Sequence, residues 1–302
     1  MKKGPLKKAH RLAGAVVLLL LGCEQRTFVI GSNDPGDPYP PDAGGSYDSN
    51  PGGSPTHPAW RLVWHDEFDG PAGSVPNPVM WTYDVGGTGW GNGQLQFYTA
   101  REQNAFLDGA GTLVIHAVAE TYMGLPYTSA RLKTQGLFEQ AYGRFEVLAR
   151  VPAGQGLWSA FWMLGNDHDV LGWPQSGDIN VMSVFSSYPT VNRGGAHGPG
   201  YGEEVRPSGS LPGSTDLSDD FHLFAVEWET NELRYYIDDS LYATKGSADL
   251  PSGASWVQDH PYFLLLNLAV GGYAGTPNAS ALPADLRVRF VRVYARAGIA
   301  GP

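Results

Sequence analysis

Residues 142–150 read YGRFEVLAR, and this stretch indicates the fold class more clearly than any other part of the chain. Three apolar residues share one face of an extended strand, namely Phe145, Val147 and Ala149. Arg144 and Glu146 point to the opposite face. Alternation of this kind is typical of a strand with one face in the core and the other in solvent. The stretch therefore predicts a half-buried strand within a sheet.

Further strand patterns follow towards the C-terminus. Residues 222–228 and 233–237 predict a hairpin that turns at residues 230–231, and a second turn at residues 238–239 leads into another strand. Residues 262–268 read YFLLLNL and are apolar on both faces, which is typical of a central strand covered by a second sheet. These patterns together predict two packed antiparallel sheets.

The composition favours the same architecture. The chain contains 40 Gly and 23 Pro, which suit many turns, and it has no long helical pattern and no internal repeat. Residues 286–294 predict a closing strand. We therefore predict an all-β domain of the jelly-roll β-sandwich type. An outer-membrane barrel is the alternative for alternating strands, and the long polar segment before the domain disfavours it.

The first 22 residues are typical of an export signal. Five basic residues precede a short apolar run at residues 12–21, which ends at Gly22 and Cys23. The run is shorter than the ~20 residues that cross a bilayer. It resembles a bacterial lipoprotein signal, in which the cysteine becomes the acylated first residue. We therefore predict export to the bacterial cell envelope or surface with a lipid anchor at Cys23; an ordinary cleaved signal is the alternative.

The rest of the chain divides into a tether, a domain and a tail. Residues 23–57 are rich in Gly, Pro and Asp and predict a disordered tether. Residues 58–296 contain no second linker and predict one domain, and residues 297–302 form a tail.

The net charge of the chain is negative. Without the signal peptide, 15 basic residues stand against 30 acidic ones, a formal charge of −15. Such a chain repels phosphate backbones, which excludes nucleic acid as a partner.

A strand at residues 154–163, GQGLWSAFWM, carries the first functional pattern. Trp158 and Trp162 flank Ala160 on one face, while Phe161 and Met163 occupy the other. A small residue between two indoles forms a trough with aromatic walls, which suits the apolar face of a sugar ring. The alternative is that both indoles belong to the core.

The second functional pattern is residues 172–183, GWPQSGDINVMS. Here the chain resembles glycoside hydrolase family 16, the laminarinase-like β-glucanases, whose signature is Glu-x-Asp-x-x-Glu after a Trp-Pro and a Gly. Further similar stretches include LVWHDEFD at residues 62–69, YTSARLKT at 127–134 and NLAVGG at 267–272. The resemblance covers essentially the whole domain. It implies a jelly roll of two curved antiparallel sheets, with the glucan in the concave face.

The chain departs from this signature at all three positions. Asp178 stands where the family has its nucleophilic Glu, Asn180 where it has the assisting Asp, and Ser183 where it has the acid/base Glu. Side chains 178 and 180 share a strand face, and 183 joins them only if a β-bulge absorbs one residue. Retaining hydrolysis uses two carboxyl groups about 5–5.5 Å apart. The shorter Asp178 sits back from the anomeric carbon, and a serine hydroxyl is too weak an acid to protonate a leaving oxygen.

The positions that hold sugar in the family are retained. The resemblance implies that seven residues face the cleft, namely Trp90, Asn92, Arg131, Trp158, Trp162, Trp173 and His197. For Arg131 and His197 the alternative is structural hydrogen bonding. Glu203 and Glu204 are the nearest carboxylates that might replace the missing acid, and the favoured interpretation is that both are solvated loop charges.

These observations predict a lipoprotein that binds β-1,3-glucan with little or no hydrolysis. An active or weak endo-β-1,3(4)-glucanase is the first alternative, and a structural remnant without a ligand is the second. The expected partners are a β-glucan polysaccharide and, through Cys23, a membrane; the protein is expected to be a monomer without a cofactor. Many family members bind calcium with an Asp on the last strand, where this chain has Arg289, so no metal is expected there.

Overall fold

The structure is a computed structural model that describes Met1 and residues 60–296. The predicted signal peptide after Met1, the lipidation site Cys23, the tether and the tail at 297–302 lie outside the described residues. The domain boundaries therefore stay predictions. Within the described part, no helix is long and apolar enough to span a bilayer.

Strands dominate the described residues. In chain order they are β1 (Trp60–Asp66), β2 (Thr82–Tyr83), β3 (Gln96–Tyr98), β4 (Ala105–Leu107), β5 (Leu113–Tyr122), β6 (Leu125–Ser129), β7 (Arg131–Lys133), β8 (Gly143–Arg150), β9 (Leu157–Gly165), β10 (Asp178–Phe185), β11 (Asn192–Arg193), β12 (Gly195–His197), β13 (Ser208–Gly209), β14 (His222–Glu229), β15 (Glu232–Ile237), β16 (Ser240–Gly246), β17 (Tyr262–Val270) and β18 (Ala284–Arg296). One short α-helix, α1 (His168–Leu171), interrupts them in this part of the chain. Short 3-10 helices lie at Glu203–Val205, Pro212–Ser214, Ser247–Asp249, Gly272–Ala274 and Ala279–Ala281.

The strands form two large sheets that pack face to face. The first sheet has ten strands in the order β16-β15-β14-β8-β18-β5-β6-β3, with β1 added beside β18 and β4 beside β5. The second has six strands in the order β12-β10-β9-β17-β7-β2. Apart from the short parallel pair of β3 and β6, the described strand pairs of both sheets are antiparallel. The prediction of an all-β jelly roll is confirmed.

Strand β8 confirms the predicted alternation but corrects the predicted exposure. Phe145, Val147 and Ala149 are fully buried in the core between the sheets. Arg144 and Glu146 on the other face are also buried, with 1% and 5% exposure, because each charge has partners from neighbouring strands. Arg144 Nε lies 2.9 Å from Glu146 Oε2, and Glu146 also accepts a hydrogen bond from Tyr294 on β18 at 2.9 Å. Charge on a strand face therefore did not mean exposure to solvent.

Strand β17 also differs from expectation on one face. Leu264, Leu266 and Leu268 point into the main core, as a central strand requires. Phe263 and Leu265 point the other way and pack with Leu164 of β9 in a separate apolar cluster. That second face is not covered by another sheet: it forms the floor of a cleft.

Candidate functional site

A cleft of about 730 Å³ lies on the face of the six-stranded sheet that points away from the core. All ten residues that the sequence predicted for the catalytic positions and for sugar binding line it, namely Trp90, Asn92, Arg131, Trp158, Trp162, Trp173, Asp178, Asn180, Ser183 and His197. The volume is within the range of ligand pockets. The structure thus brings these residues together in one site, while the role of each stays a prediction.

The cleft positions on β10 depend on a β-bulge. Asn180 lies opposite Trp162 of β9 and Met182 lies opposite Phe161, so Val181 is the extra residue. The bulge returns Ser183 to the face that carries Asp178 and Asn180, as the motif spacing requires. A one-residue irregularity in the backbone therefore gathers the three motif side chains.

Asn192 holds this bulge, and it was not predicted from the sequence. Its Nδ2 donates to the Val181 carbonyl at 3.0 Å, and its Oδ1 accepts from the Ser183 backbone N–H at 2.8 Å. The side chain is completely buried. Both backbone groups of the irregular segment are therefore satisfied by one amide. Only the pairing of distant segments reveals this, because no local pattern in the sequence marks Asn192.

Asp178 is surrounded by hydrogen-bond donors. Its Oδ2 accepts from Trp173 Nε1 at 2.7 Å, and its Oδ1 accepts from Asn180 Nδ2 at 2.8 Å and from His197 Nδ1 at 2.7 Å. Burial lowers the pKa of His197, but the hydrogen bond to Asp178 and the charge of Asp178 outweigh it, so the pKa is raised. His197 and Asp178 thus form a partly buried ion pair whenever the imidazole is protonated.

Ser183 is held by the aromatic wall of the cleft. Trp158 Nε1 donates to Ser183 Oγ at 2.9 Å, so the hydroxyl is an acceptor for the indole. Trp158 lies two residues from Ala160 and four from Trp162, and both indoles line the cleft rather than the core. Trp162 is fixed in turn, because its Nε1 donates to Asn267 Oδ1 at 2.9 Å. The alternation predicted for β9 is confirmed.

Arg131 connects the aromatic residues at the other end of the cleft. Its guanidinium carbon lies 4.8 Å from the ring centroids of both Trp90 and Trp162, so the group is stacked between two indoles. Asp84 Oδ2 lies 2.9 Å from Arg131 Nε, and Asp84 Oδ1 lies 2.7 Å from Lys133 Nζ. Burial lowers the pKa of Arg131, and the charge of Asp84 opposes that shift. Arg131 therefore has structural partners and also lines the cleft.

The carboxylates among the described cleft residues all have partners. Asp84 pairs with Arg131 and Lys133, and Asp169 Oδ2 accepts from Gln135 at 3.0 Å. The side chain of Glu203 is 80% exposed and lies 2.5 Å from Arg206 Nη1, which agrees with the favoured interpretation of a solvated loop charge.

The position of the family's calcium-binding Asp is occupied by Arg289. This exposed residue lies at a register shift between Val288 and Phe290, and its guanidinium stacks 4.5 Å from the centroid of the Phe221 ring. A guanidinium supplies no oxygen ligand to a cation. The chemistry of this position therefore does not fit calcium.

Comparison with known proteins gives the family. The family model for glycosyl hydrolases family 16 matches residues 90–287. A β-glucanase of Rhodothermus marinus is 39% identical over 302 residues, which cover 96% of this chain and 96% of that protein. The laminarinase catalytic domain of Thermotoga maritima has a TM-score of 0.73 at 40% identity, and the match covers 79% of this chain and 99% of that one.

A further similar structure is a variant of SCLam, a non-specific endo-β-1,3(4)-glucanase from family GH16, in which serine replaces a glutamate. It has a TM-score of 0.72 at 32% identity, and the match covers 79% of this chain and 96% of that chain. That variant was co-crystallised with 1,3-β-D-cellotriosyl-glucose and presents a 1,3-β-D-cellobiosyl-glucose at its active site. The fold, the family model and the identity to these relatives agree, and the chain described here belongs to glycosyl hydrolase family 16.

Proposed function

We propose that this protein binds β-glucan, with β-1,3-glucan as the expected ligand, and hydrolyses it little or not at all. The observation that carries the proposal is Ser183 at the position of the family's acid/base glutamate. Its Oγ borders the cleft and accepts a hydrogen bond from the Trp158 indole. A serine hydroxyl does not ionise near neutral pH, so it does not supply the proton that the leaving sugar oxygen needs.

The remaining carboxylate of the motif is also poorly placed for attack. Asp178 is one methylene shorter than glutamate, and three donors engage its two oxygens. A displacement of about 1 Å from the productive position costs about 10²-fold in rate. The aromatic walls at Trp158 and Trp162, in contrast, remain in the cleft as platforms for a sugar chain.

The relative in which serine replaces a glutamate supports the binding part of the proposal. An active site of this family holds a β-1,3-linked oligosaccharide after that exchange. The present chain carries serine in its own motif at position 183. Binding of a β-glucan chain at a site that contains this serine is therefore chemically reasonable.

Endo-β-1,3(4)-glucanase activity is the second candidate function. It is favoured by the names of the relatives, since both the Rhodothermus and the Thermotoga proteins are described as glucan hydrolases. For this candidate, Asp178 would serve as the nucleophile and another cleft group as the proton donor. Glu203 is the nearest candidate in sequence, and its side chain is 80% exposed and pairs with Arg206.

The test measures binding and cleavage on the same preparation. Purified protein is mixed with insoluble β-1,3-glucan to measure retention, and with laminarin to measure the release of reducing ends. A second preparation carries Asp178→Glu, Asn180→Asp and Ser183→Glu together. We expect retention without release for the parent, and release at least about 10²-fold above the parent for the triple variant, because a general acid is worth about 10²–10⁴-fold.

The controls separate the two candidate functions. Trp162→Ala is expected to weaken retention, which shows that retention reflects the cleft. Turnover by the parent at the rate of the triple variant would overturn the binding proposal. If Glu203→Gln then abolished that turnover, Glu203 would be the proton donor and the hydrolase candidate would stand.

We also propose export to the bacterial cell envelope with acylation at Cys23, since the apolar run, Gly22 and Cys23 occur in that order. The tether at residues 23–57 would hold the domain away from the lipid surface. Labelling of cells with a radioactive fatty acid tests this proposal. We expect label on the parent and none on Cys23→Ala, and label on both proteins would contradict the proposed site.

A further inference from the structure

A second arginine lines the cleft beside Ser183 and is not part of the predicted sugar-binding set. The Arg193 guanidinium carbon lies 4.7 Å from the Phe185 ring centroid and 5.4 Å from that of Tyr188. Its Nη1 is buried without a hydrogen-bond acceptor among the described residues. Burial lowers the pKa of Arg193, and the charge of Arg206 lowers it further. The guanidinium is therefore a cation in the cleft that packs against two aromatic rings and has no carboxylate partner among the residues that the structure describes.

Arg206 adds a second cation to the same end of the cleft. It packs over Gly195, since a Cβ at that glycine would lie 3.2 Å from Arg206 Cγ. Gly195 pairs with Asn180 across the β10–β12 ladder, so Arg206 lies next to the motif strand. Its charge acts on both Arg193 and His197. The carboxylate that pairs with it is the mostly exposed Glu203.

The motif substitutions change the charge beside these arginines. The family signature would place three carboxylates at positions 178, 180 and 183, whereas this chain keeps only Asp178. Asp178 is already engaged with His197. The two neutral replacements, Asn180 and Ser183, thus remove the charge of the assisting Asp and an ionisable carboxyl group from the same part of the cleft as Arg193 and Arg206. An arginine with no counter-ion next to a sugar site suits a ligand oxyanion, because its planar donors match carboxylate and sulfate groups.

We infer that the cleft takes a β-glucan chain bearing an anionic substituent, either a carboxylate or a sulfate ester, and that Arg193 and Arg206 receive this group. The inference rests on the proposed glucan-binding function and adds the chemical class of the ligand. A ligand oxyanion would compensate the charge that the motif substitutions left unbalanced.

The opposite end of the cleft shows why the assignment is specific to one end. There Arg131 and Lys133 share one carboxylate, Asp84, whose oxygens lie 2.9 Å from Arg131 Nε and 2.7 Å from Lys133 Nζ, so each of these cations has an acidic partner, whereas Arg193 has none among the described residues. The chain as a whole is acidic, with a formal net charge of −10. The net negative charge of the chain therefore repels a polyanion. Tighter binding of an anionic glycan has to come from a local cationic site.

The experiment compares three soluble ligands of similar length: laminarin, carboxymethylated laminarin and sulfated laminarin. Affinities are measured by calorimetry at low salt and again at about 0.5 M salt, which screens exposed charge pairs. We expect at least one anionic form to bind about three- to tenfold more tightly than laminarin at low salt, with most of this gain lost at high salt. The two anionic forms distinguish a carboxylate from a sulfate ligand.

Variants assign the gain to the two arginines. Arg193→Gln and Arg206→Gln are each expected to remove most of the gain, measured as the ratio of the affinity for the anionic form to the affinity for neutral laminarin in the same variant. Arg61→Gln, an exposed arginine on β1, is the matched control and is expected to keep the gain. Because Arg193 packs on two rings, thermal unfolding is recorded for each variant, and Arg206→Gln alone tests the inference if Arg193→Gln does not fold.

Each outcome has a separate meaning. Equal affinity of the parent for all three ligands, or a gain that survives both arginine variants, overturns the inference and leaves the proposed glucan binding intact. If the parent binds neither neutral laminarin nor either anionic form, the proposed function itself is overturned.

Discussion

Strands β8 and β10 both turn polar side chains away from the core, but they use them differently. On β8, Arg144 and Glu146 belong to a closed network that includes Glu227, in which every charge has a partner on a neighbouring strand. On β10, Asp178 and Ser183 border an open cleft, and their partners are the side chains that line it. The first arrangement stabilises the sheet, and the second leaves polar groups available to a ligand.

The difference explains how a family member can lose its acid residues and keep its fold. Removal of one charge from a closed network leaves the others buried and unpaired, which is costly. Exchange of a carboxylate for a neutral group at the border of a cleft leaves partners that water can satisfy. Substitution of a cleft-lining residue on β10 should therefore cost less stability than removal of a charge from the β8 network.

The largest expected effect comes from breaking the network on β8. Arg144→Met removes the cation nearest to buried Glu146 and leaves Glu227 paired with Arg234 alone, and we expect the free energy of unfolding to fall by about 3–5 kcal/mol. Chemical denaturation measures the change. The matched control is Arg61→Met on the exposed side of β1, which should change stability by less than about 0.5 kcal/mol. Similar effects for both variants would show that the β8 network is no more costly to break than a surface charge.

A smaller effect is expected where β10 itself is held. Asn192→Ala leaves the Val181 carbonyl and the Ser183 N–H of the bulge unsatisfied, which should cost about 1–3 kcal/mol of unfolding free energy. Because the bulge positions Ser183, laminarin binding should weaken as well. Asn166→Ala removes an exposed amide that donates to Glu139 at 2.8 Å and serves as the control. If a destabilised Asn192→Ala variant still bound laminarin with the affinity of the parent, the bulge would not be needed for binding.

The smallest expected effect concerns the ion pair in the cleft. The raised pKa of His197 means that its pairing with Asp178 stabilises the folded state fully below about pH 6.5, and that this contribution is lost as pH rises through the folded-state pKa. His197→Gln should therefore lower stability relative to the parent at pH 5.5 by on the order of 1 kcal/mol or less, and by less still at pH 9. Thermal unfolding across this range measures the difference.

A double-mutant cycle checks the origin of that pH dependence. In an Asp178→Asn background, burial and the charge of Arg206 lower the pKa of His197 without the opposing carboxylate, so the loss of stability caused by His197→Gln at pH 5.5 should disappear or change sign. If the stability lost on His197→Gln increased with pH, a stabilising pair between protonated His197 and Asp178 would be contradicted.

Much of the site was predictable because it depends on local geometry. The period of two in β9 placed Trp158 and Trp162 on the face opposite Phe161, and the spacing from Asp178 to Ser183 required a bulge. Successive side chains on a strand alternate whatever the rest of the chain does. For this reason the strand period placed Trp158 and Trp162 on the cleft face, while the resemblance to family 16 implied the other eight predicted cleft residues.

The contacts between distant segments were not predictable in the same way. Asn192 supports the bulge from nine residues beyond Ser183, and Arg193 lies beside the motif only because β11 returns towards β10. The burial of Arg144 likewise depends on partners contributed by β14. Such contacts depend on the register between strands far apart in the chain, which no local pattern encodes.

The amino-acid sequence by itself determined the alternating strands, the jelly-roll architecture and the loss of the acidic residue at position 183, since these follow from residue identity and backbone period. Tertiary structure alone decided which charges have a partner of opposite sign. Arg131 forms an ion pair with Asp84 in the folded domain, whereas Arg193 packs against aromatic rings and has no carboxylate partner among the described residues. The physical reason is that the energy of a charge depends on what surrounds it in space, and those neighbours come from strands that only folding brings together.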